Sequence, residues 1–322
     1  MFVLTPRQKL SAGAPAWKAF LALVACLSAG CASTQKSARK PAAAPMQVQT
    51  ATKQQLVAAY NEQANAIRGV NASVSIKLTA GTAYSGVIKQ YHEVNGFLLA
   101  QKPADIRVIG QAPIVGTNIF DMVSDGETFH IFIPSKNQFV VGPADLQRQS
   151  PKPIENLRPQ HLIEAIFWAV IPDDTPVLFE ADDETEARYY VLTVVRGSAD
   201  AGANGASGSS SDWRIARKIW FDRSDLSIAR LQVYDPTGSV NADVRYSQWD
   251  SFGGTRFPRQ IALTRPGEDY VLRLGINKLT VNEPIPGERF VLQQPAGTEL
   301  VDVGAQGDLA QPKQPVPQEQ RN

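Results

Sequence analysis

Residues 103–142 read "PADIRVIGQAPIVGTNIFDMVSDGETFHIFIPSKNQFVVG", and the way this stretch is read decides the fold. Ile106 to Val108 alternates apolar with charged residues, the period-two pattern of a strand with one buried face. In "TFHIFIP" the same alternation sets His130 between Phe129 and Ile131. That histidine therefore reads as a sheet residue, packed or facing solvent, rather than as a catalytic base. Between two strands lies "GQAPIVGTNIFDMV", where Pro113, Ile114 and Val115 stand at a place that turns normally fill with polar residues. An apolar tip there has two readings, burial against a neighbour or insertion into a membrane or other greasy surface.

Upstream, Thr52 and Gln55 form a capping-box pair, Leu56, Tyr60, Ala64 and Ile67 follow at helical spacing, and Gly69 is placed to end a helix. From Ala72 the period changes to two, through Val74, Ile76 and Leu78, then Val87 to Tyr91 and Phe97 to Ala100. Downstream, "RPQHLIEAIFWAVI" predicts a second helix, Pro159 to Ile171, with Pro172 just beyond it. After His161 only Glu164 interrupts its apolar run, so this helix needs cover on nearly all sides. Strand-like runs follow at Val177–Phe179, Tyr189–Val195, Arg214–Phe221, Ser227–Tyr234, Val240–Tyr246, Gln260–Thr264, Tyr270–Ile276 and Phe290–Leu292. The turn "YDPTGS" places Pro236 and Gly238 at hairpin positions, which implies an antiparallel meander. One helix, about five strands, a second helix and about eight more strands make an α+β chain with a single large curved antiparallel sheet, an open half-barrel. Such a sheet needs apolar cover on its concave face, and two helices are few for the task.

The two cysteines, Cys26 and Cys31, both lie in "LALVACLSAGCAST", residues 21–34. Five residues apart in one apolar run, they make a poor disulfide, and His92, His130 and His161 lie too far off in sequence to complete a metal site. Arg7, Lys9 and Lys18 precede an apolar segment that is too short to span a bilayer and of the right length for a signal-peptide core. The segment "LSAGC" resembles the lipobox of bacterial lipoproteins, which implies lipidation at Cys31 after removal of residues 1–30. Ser28 stands where that family prefers leucine. "LVAC" is a rival site at Cys26 with a shorter apolar run before it, and two buried cysteines of a plain anchor are the alternative to both.

Residues 31–51 then read as a tether, rich in Ala, Pro, Ser, Thr and Gln, with a domain over 52–303 and a Pro-rich tail over 304–322. The Gly/Ser-rich run 197–212 reads as a long hairpin loop. Without the leader, 29 basic residues stand against 31 acidic ones, and so near-neutral a surface gives no electrostatic reason to expect nucleic acid as partner.

Catalytic signatures are lacking: no G-x-S-x-G, no H-E-x-x-H and no Gly-rich phosphate loop. The acidic run "EADDETE", Glu180 to Glu186, lacks the spacing of a calcium loop and reads as a solvated hairpin tip. Trp213, Trp220, Trp249, Tyr234 and Tyr246 could stack on sugars or bases, but they recur within strands, where aromatics are good sheet residues, and packing is the preferred reading. No cofactor is implied.

The order lipobox, tether, helix ending in "AIRGVNASVSIKL", strand run 103–142, apolar helix and closing meander resembles the lipoprotein-localisation family, LolA and LolB, over residues 52–303. The resemblance implies a half-barrel with helices plugging its mouth, a hydrophobic cavity for lipoprotein acyl chains, and no chemistry. The lipid anchor is similar to that of the receptor type, whose exposed apolar loop Pro113, Ile114 and Val115 resemble in character. The apolar helix then acts as a cavity lid through Leu162, Ile163, Ile166, Phe167 and Val170. Ala32 after Cys31 lacks an acidic retention signal, which leans toward the outer membrane, facing the periplasm. The rival reading is a non-catalytic envelope scaffold with a protein partner, and an enzyme is the third.

Overall fold

The computed structural model describes residues 48–81, 88–146, 157–182, 188–197 and 213–304. These belong to one compact unit that begins at Gln47. The leader, Cys26, Cys31, most of the expected tether, residues 198–212 of the expected loop and the tail from 305 lie outside the described residues.

Helix α1 spans Lys53–Ala66 and starts as its sequence dictates. The Thr52 hydroxyl accepts from the Gln55 amide at 3.3 Å and the Gln55 side chain accepts from the Thr52 amide at 2.8 Å, so two end donors are satisfied reciprocally. It does not end on Gly69, which is already the first residue of a strand. Asn282, far along the chain and itself at φ 62°, closes it instead. Its Oδ1 accepts from the amides of Arg68 and Gly69 at 2.7 and 3.2 Å, and its Nδ2 donates to Ala66 O at 2.7 Å.

The described residues otherwise form a large open sheet, antiparallel throughout except at one edge. Seven strands precede the second helix: β1 (Gly69–Ala80), β2 (Lys89–Gln90), β3 (Val94–Gln101), β4 (Asp105–Gln111), β5 (Asn118–Ser124), β6 (Thr128–Ile133) and β7 (Gln138–Pro143). Helix α2 covers Pro159–Ile166. Then come β8 (Val177–Asp182), β9 (Tyr189–Gly197), β10 (Trp213–Asp222), β11 (Ile228–Tyr234), β12 (Val240–Phe252), β13 (Thr255–Arg265), β14 (Tyr270–Val281) and β15 (Glu299–Asp302). Two meanders, β3 to β7 and β8 to β14, meet where β1 pairs with β14 along nearly its whole length, while β15 joins β7 in parallel. The strand expected at Phe290–Leu292 is absent, because Pro284 and Pro286 lead into a 3-10 turn, Gly287–Phe290. Arg107 ties that turn down by donating to Arg289 O at 2.9 Å.

Alternation along the strands sorts side chains to two faces. Val70, Ala72, Val74, Ile76 and Leu78 of β1 join Tyr270, Leu272, Leu274 and Ile276 of β14 in one buried cluster, which also takes in Leu56, Tyr60 and Ala64 of α1 and Leu162, Ile163 and Ile166 of α2. Both helices therefore pack on the same face. Gly96 and Gly110 pair across β3 and β4, and the Phe120 ring of β5 lies over Gly110 where a Cβ would stand.

Candidate functional site

The tip between β4 and β5 is a closed turn. Ala112 N donates to Thr117 O at 2.9 Å, Gly116 N to Ala112 O at 3.0 Å, and Gln111 Nε2 to Asn118 Oδ1 at 3.0 Å. Gly116, at φ 67°, supplies the left-handed residue such a turn requires. The hydrogen bonds hold the backbone while the side chains point away: Ile114 is 98% exposed and Val115 72% exposed, and Pro113 is exposed as well. Of the two readings of this tip, burial within the chain is not what is observed among the described residues.

The expected lid is shorter than its sequence suggests. α2 ends at Ile166, and Phe167 is extended at φ −108°, ψ 107°. Two forces end it there. Pro172 disfavours helix at Ile171, and the residues after Ile166 are claimed by α1. The Asn61 side chain donates to Ile171 O and accepts from Ile171 N, both at 2.8 Å. The Tyr60 hydroxyl donates to Ala169 O at 3.1 Å, and Arg217 also donates to Ala169 O. Leu162, Ile163, Ile166 and Phe167 are buried, but Val170 is 42% exposed, so the stretch is not covered on all sides as expected. α2 itself touches β4, β5 and β13.

The aromatic residues gather behind this segment. Trp168 donates from Nε1 to the Tyr246 hydroxyl at 2.8 Å, and that hydroxyl donates to Ala165 O at 2.9 Å. Trp168 and Tyr246 meet edge to face with centroids 5.5 Å apart, and Trp249 stands 6.0 Å from Trp168. Burial raises the Tyr246 pKa, which keeps the hydroxyl protonated as a donor. Lys102 Nζ donates to Ala64 O at 2.6 Å and lies over the Phe167 ring. Of the tryptophans and tyrosines considered for stacking, Tyr246 and Trp249 therefore serve packing, Trp213 is exposed, and Trp220 lies on the opposite face.

Beneath the start of α2 lies a polar cluster that the sequence did not announce. His161 Nδ1 is 2.6 Å from the Tyr270 hydroxyl, with the two rings stacked. Arg265, buried, donates to both carboxylate oxygens of Glu268 at 3.2 and 2.7 Å and stands 3.6 Å from Glu164. Glu268 Oε1 lies 3.9 Å from His161 Nε2. Burial first, then the positive charges of Arg265 and Arg158, push the His161 pKa down to about 2, so the imidazole is neutral. The pairing of Arg265 with Glu268 in "TRPGEDY" was readable as a charged hairpin turn, but nothing local says that a histidine from α2 lies over it. His130, the histidine that the strand pattern singled out, packs against Phe139 at 5.6 Å between centroids. Among the described residues no group of three or more His, Cys, Asp and Glu side chains could hold a metal ion, and no helix is long and apolar enough to cross a membrane. Of the acidic run, Glu180 to Asp182 lie on β8, and the rest lies outside the described residues.

No family model and no curated protein sequence matches the chain. It is similar to a solved LolA superfamily protein from Nitrosomonas europaea, at 16% identity and a TM-score of 0.42, covering 76% of this chain and 99% of that one. A DUF1329 family protein from Desulfovibrio piger matches at 11% identity and a TM-score of 0.45, over 73% of this chain and 94% of that one. A domain from Vibrio parahaemolyticus, provisionally described as an outer membrane lipoprotein-sorting protein, matches at 10% and 0.45, over 73% and 95%.

Proposed function

We propose that this chain is a non-catalytic, lipid-anchored protein of the bacterial envelope that binds acyl chains, of lipid or of lipoproteins, between its sheet and α2. The observation that carries the reading is the tip: two large apolar side chains, Ile114 and Val115, are held out into solvent by a hydrogen-bonded turn. Burying both in the acyl boundary of a membrane contributes roughly 3–6 kcal/mol. That is too little to hold a free protein there and enough to orient a tethered one. Lipidation at Cys31 supplies the tether in this proposal, with the outer membrane, periplasmic side, as its location.

The half-barrel part of the reading rests on the reach of α2. Eight residues of helix span about 12 Å, whereas β5 and β13, both touched by α2, stand five strand spacings apart, roughly 24 Å in a flat sheet. A sheet curled toward the helix reconciles the two lengths. Leu162, Ile163, Ile166 and Phe167 then occupy the space that an acyl chain would take, and cargo enters by displacing α2 about the segment Ala169–Ile171 stapled to α1. Ten buried methylenes contribute roughly 8 kcal/mol relative to water, close to what a bilayer offers, so exchange between cavity and membrane is near neutral.

One observation favours a second reading, a scaffold with a protein partner: the helix-bearing face forms one continuous buried cluster, as a filled core does. Titration of the delipidated chain with a fluorescent fatty acid separates the two. Saturable uptake at micromolar probe supports the carrier, and no uptake with intact β-sheet circular dichroism leaves the scaffold.

A further inference from the structure

The face of the sheet away from the helices carries a groove of about 780 Å³ between the ends of β8 and β10 and the middle of β12, β13 and β14. Its floor is set by register. Arg245 of β12 and Arg273 of β14 both lie directly opposite Ala262 of β13, Arg230 flanks Arg245 on β11, and Lys77 flanks Arg273 on β1. Cross-strand neighbours of like charge destabilise a sheet, so wherever the charge of this row is unmatched it costs the fold stability.

The four cations are not equivalent. Arg230 donates through Nε and Nη2 to the two oxygens of Asp243 and lies 4.8 Å from the centroid of Trp220, so its charge is matched and its place fixed. Arg245 and Arg273 are exposed, and among the described residues neither forms an ion pair. The alanine between them leaves room for both guanidinium groups to converge over β13. Around this pair stand the side-chain donors Ser247, Gln248 and Gln260, and toward β8 and β10 the groove offers the rings of Tyr189 and Trp220 and the carboxylates of Asp182 and Asp222.

We infer that this groove is a binding site for a phosphate monoester carried on a sugar-sized polar ring. Two forks about 10 Å apart at their backbones suit phosphate better than carboxylate. One fork satisfies both oxygens of a carboxylate, whereas a phosphate monoester has three oxygens and a charge of about −1.5 to −2 to divide between two guanidinium groups. The volume is several times that of a bare phosphate and lies within the range of small-molecule pockets. The far end completes the match: a carboxylate can accept several hydrogen bonds, so ring hydroxyls can join the one Asp222 already accepts from Ser224 N at 2.8 Å. Phosphate over β12–β14 and hydroxyls toward β8 and β10 keep the ligand's charge away from both aspartates. Because the groove lies on the opposite face from α2, it does not depend on acyl-chain binding.

The test is calorimetric titration of the full chain, in mild detergent, with glucose 1-phosphate, inorganic phosphate and glucose in separate runs. The expected result is that glucose 1-phosphate binds at least tenfold more tightly than either of the others and weakens as salt is raised. Arg245→Ala and Arg273→Ala should each weaken it tenfold or more. Arg273→Lys, which keeps the charge and loses the fork, should fall between wild type and alanine, and Arg256→Ala, outside the groove, should bind as wild type. Unchanged melting temperatures establish that the variants are folded, as exposed positions predict. No binding at 10 mM ligand, inorganic phosphate binding as tightly as the sugar phosphate, or affinity unaffected by both alanine substitutions would each overturn the inference.

Discussion

Acid should destabilise this protein through one histidine. His161, in the first turn of α2, is buried against Tyr270, with Arg265 and Arg158 adding positive charge and Glu268 already engaged by Arg265, and its pKa is depressed to about 2. In the unfolded chain it titrates near 6.5. Above that value both states are neutral there and the group contributes nothing that varies with pH. As the pH falls below it, the unfolded chain takes up a proton that the folded chain refuses, so stability falls by up to about 1.4 kcal/mol per unit. Between pH 6.5 and 4.5 the loss from this site is about 2 kcal/mol, and it is insensitive to the folded value, which lies far below the window. Carboxylates titrate nearby, so the measurement is a difference. Urea unfolding of wild type and His161→Gln at both pH values isolates the histidine, since glutamine can still bond to Tyr270 and cannot ionise. Wild type should lose about 2 kcal/mol more than the variant. Equal losses would mean that the imidazole is protonated in the folded state, and the account of its burial would be wrong.

Other substitutions probe the remaining features. Ile114→Glu should abolish contact of the tip with the bilayer in the liposome-anchored chain, read from the emission of an environment-sensitive fluorophore placed at Thr117, and leave the melting temperature nearly unchanged, since the side chain is solvent-exposed; a large fall in melting temperature would show it to be buried structure. Asn61→Ala removes both bonds to Ile171 and should cost about 2–4 kcal/mol in urea unfolding. Gly96→Ala places a Cβ 2.2 Å from Ile109 O and should cost at least about 1–3 kcal/mol, whereas Gly238→Ala meets no atom and should show only the smaller strain of its φ of 89°. Cys31→Ala should eliminate fatty-acid labelling of the chain while Cys26→Ala retains it; labelling that follows Cys26 would move the anchor.

What the sequence disclosed were features whose cause is local. The capping box of Thr52 and Gln55 forms as read, because both partners lie within one turn. The strands of residues 103–142 form as read, because alternation depends on a residue and its neighbours. The features that escaped have causes distant in sequence. Asn282 terminates α1, and Asn61 and Tyr60 claim the residues that would have lengthened α2. The exception is the apolar triplet Phe290–Leu292, which prolines 284 and 286, only a few residues before it, turn away from strand. The candidate sites divide in the same way. Pro113 to Val115 were conspicuous as an apolar turn, but the row of Arg245, Ala262 and Arg273 exists only once three strands are in register, and no spacing along the chain encodes it.

The pairing of β1 with β14 governs how the protein must be made. Val70 lies opposite Val281, more than two hundred residues later, and closing a loop of that length costs roughly 5 kcal/mol of chain entropy before any contact forms. β3 to β7 can pair with each other early, since their connections are short. Until β14 is synthesised, however, β1 presents an unpaired edge of twelve residues, alternately apolar, to whatever is nearby. A chain growing from its N-terminus thus carries a long strand with one open edge first and its protecting partner nearly last. Folding should be slow, governed by long-range pairing, and truncation anywhere before Val281 should yield insoluble protein rather than a smaller folded domain.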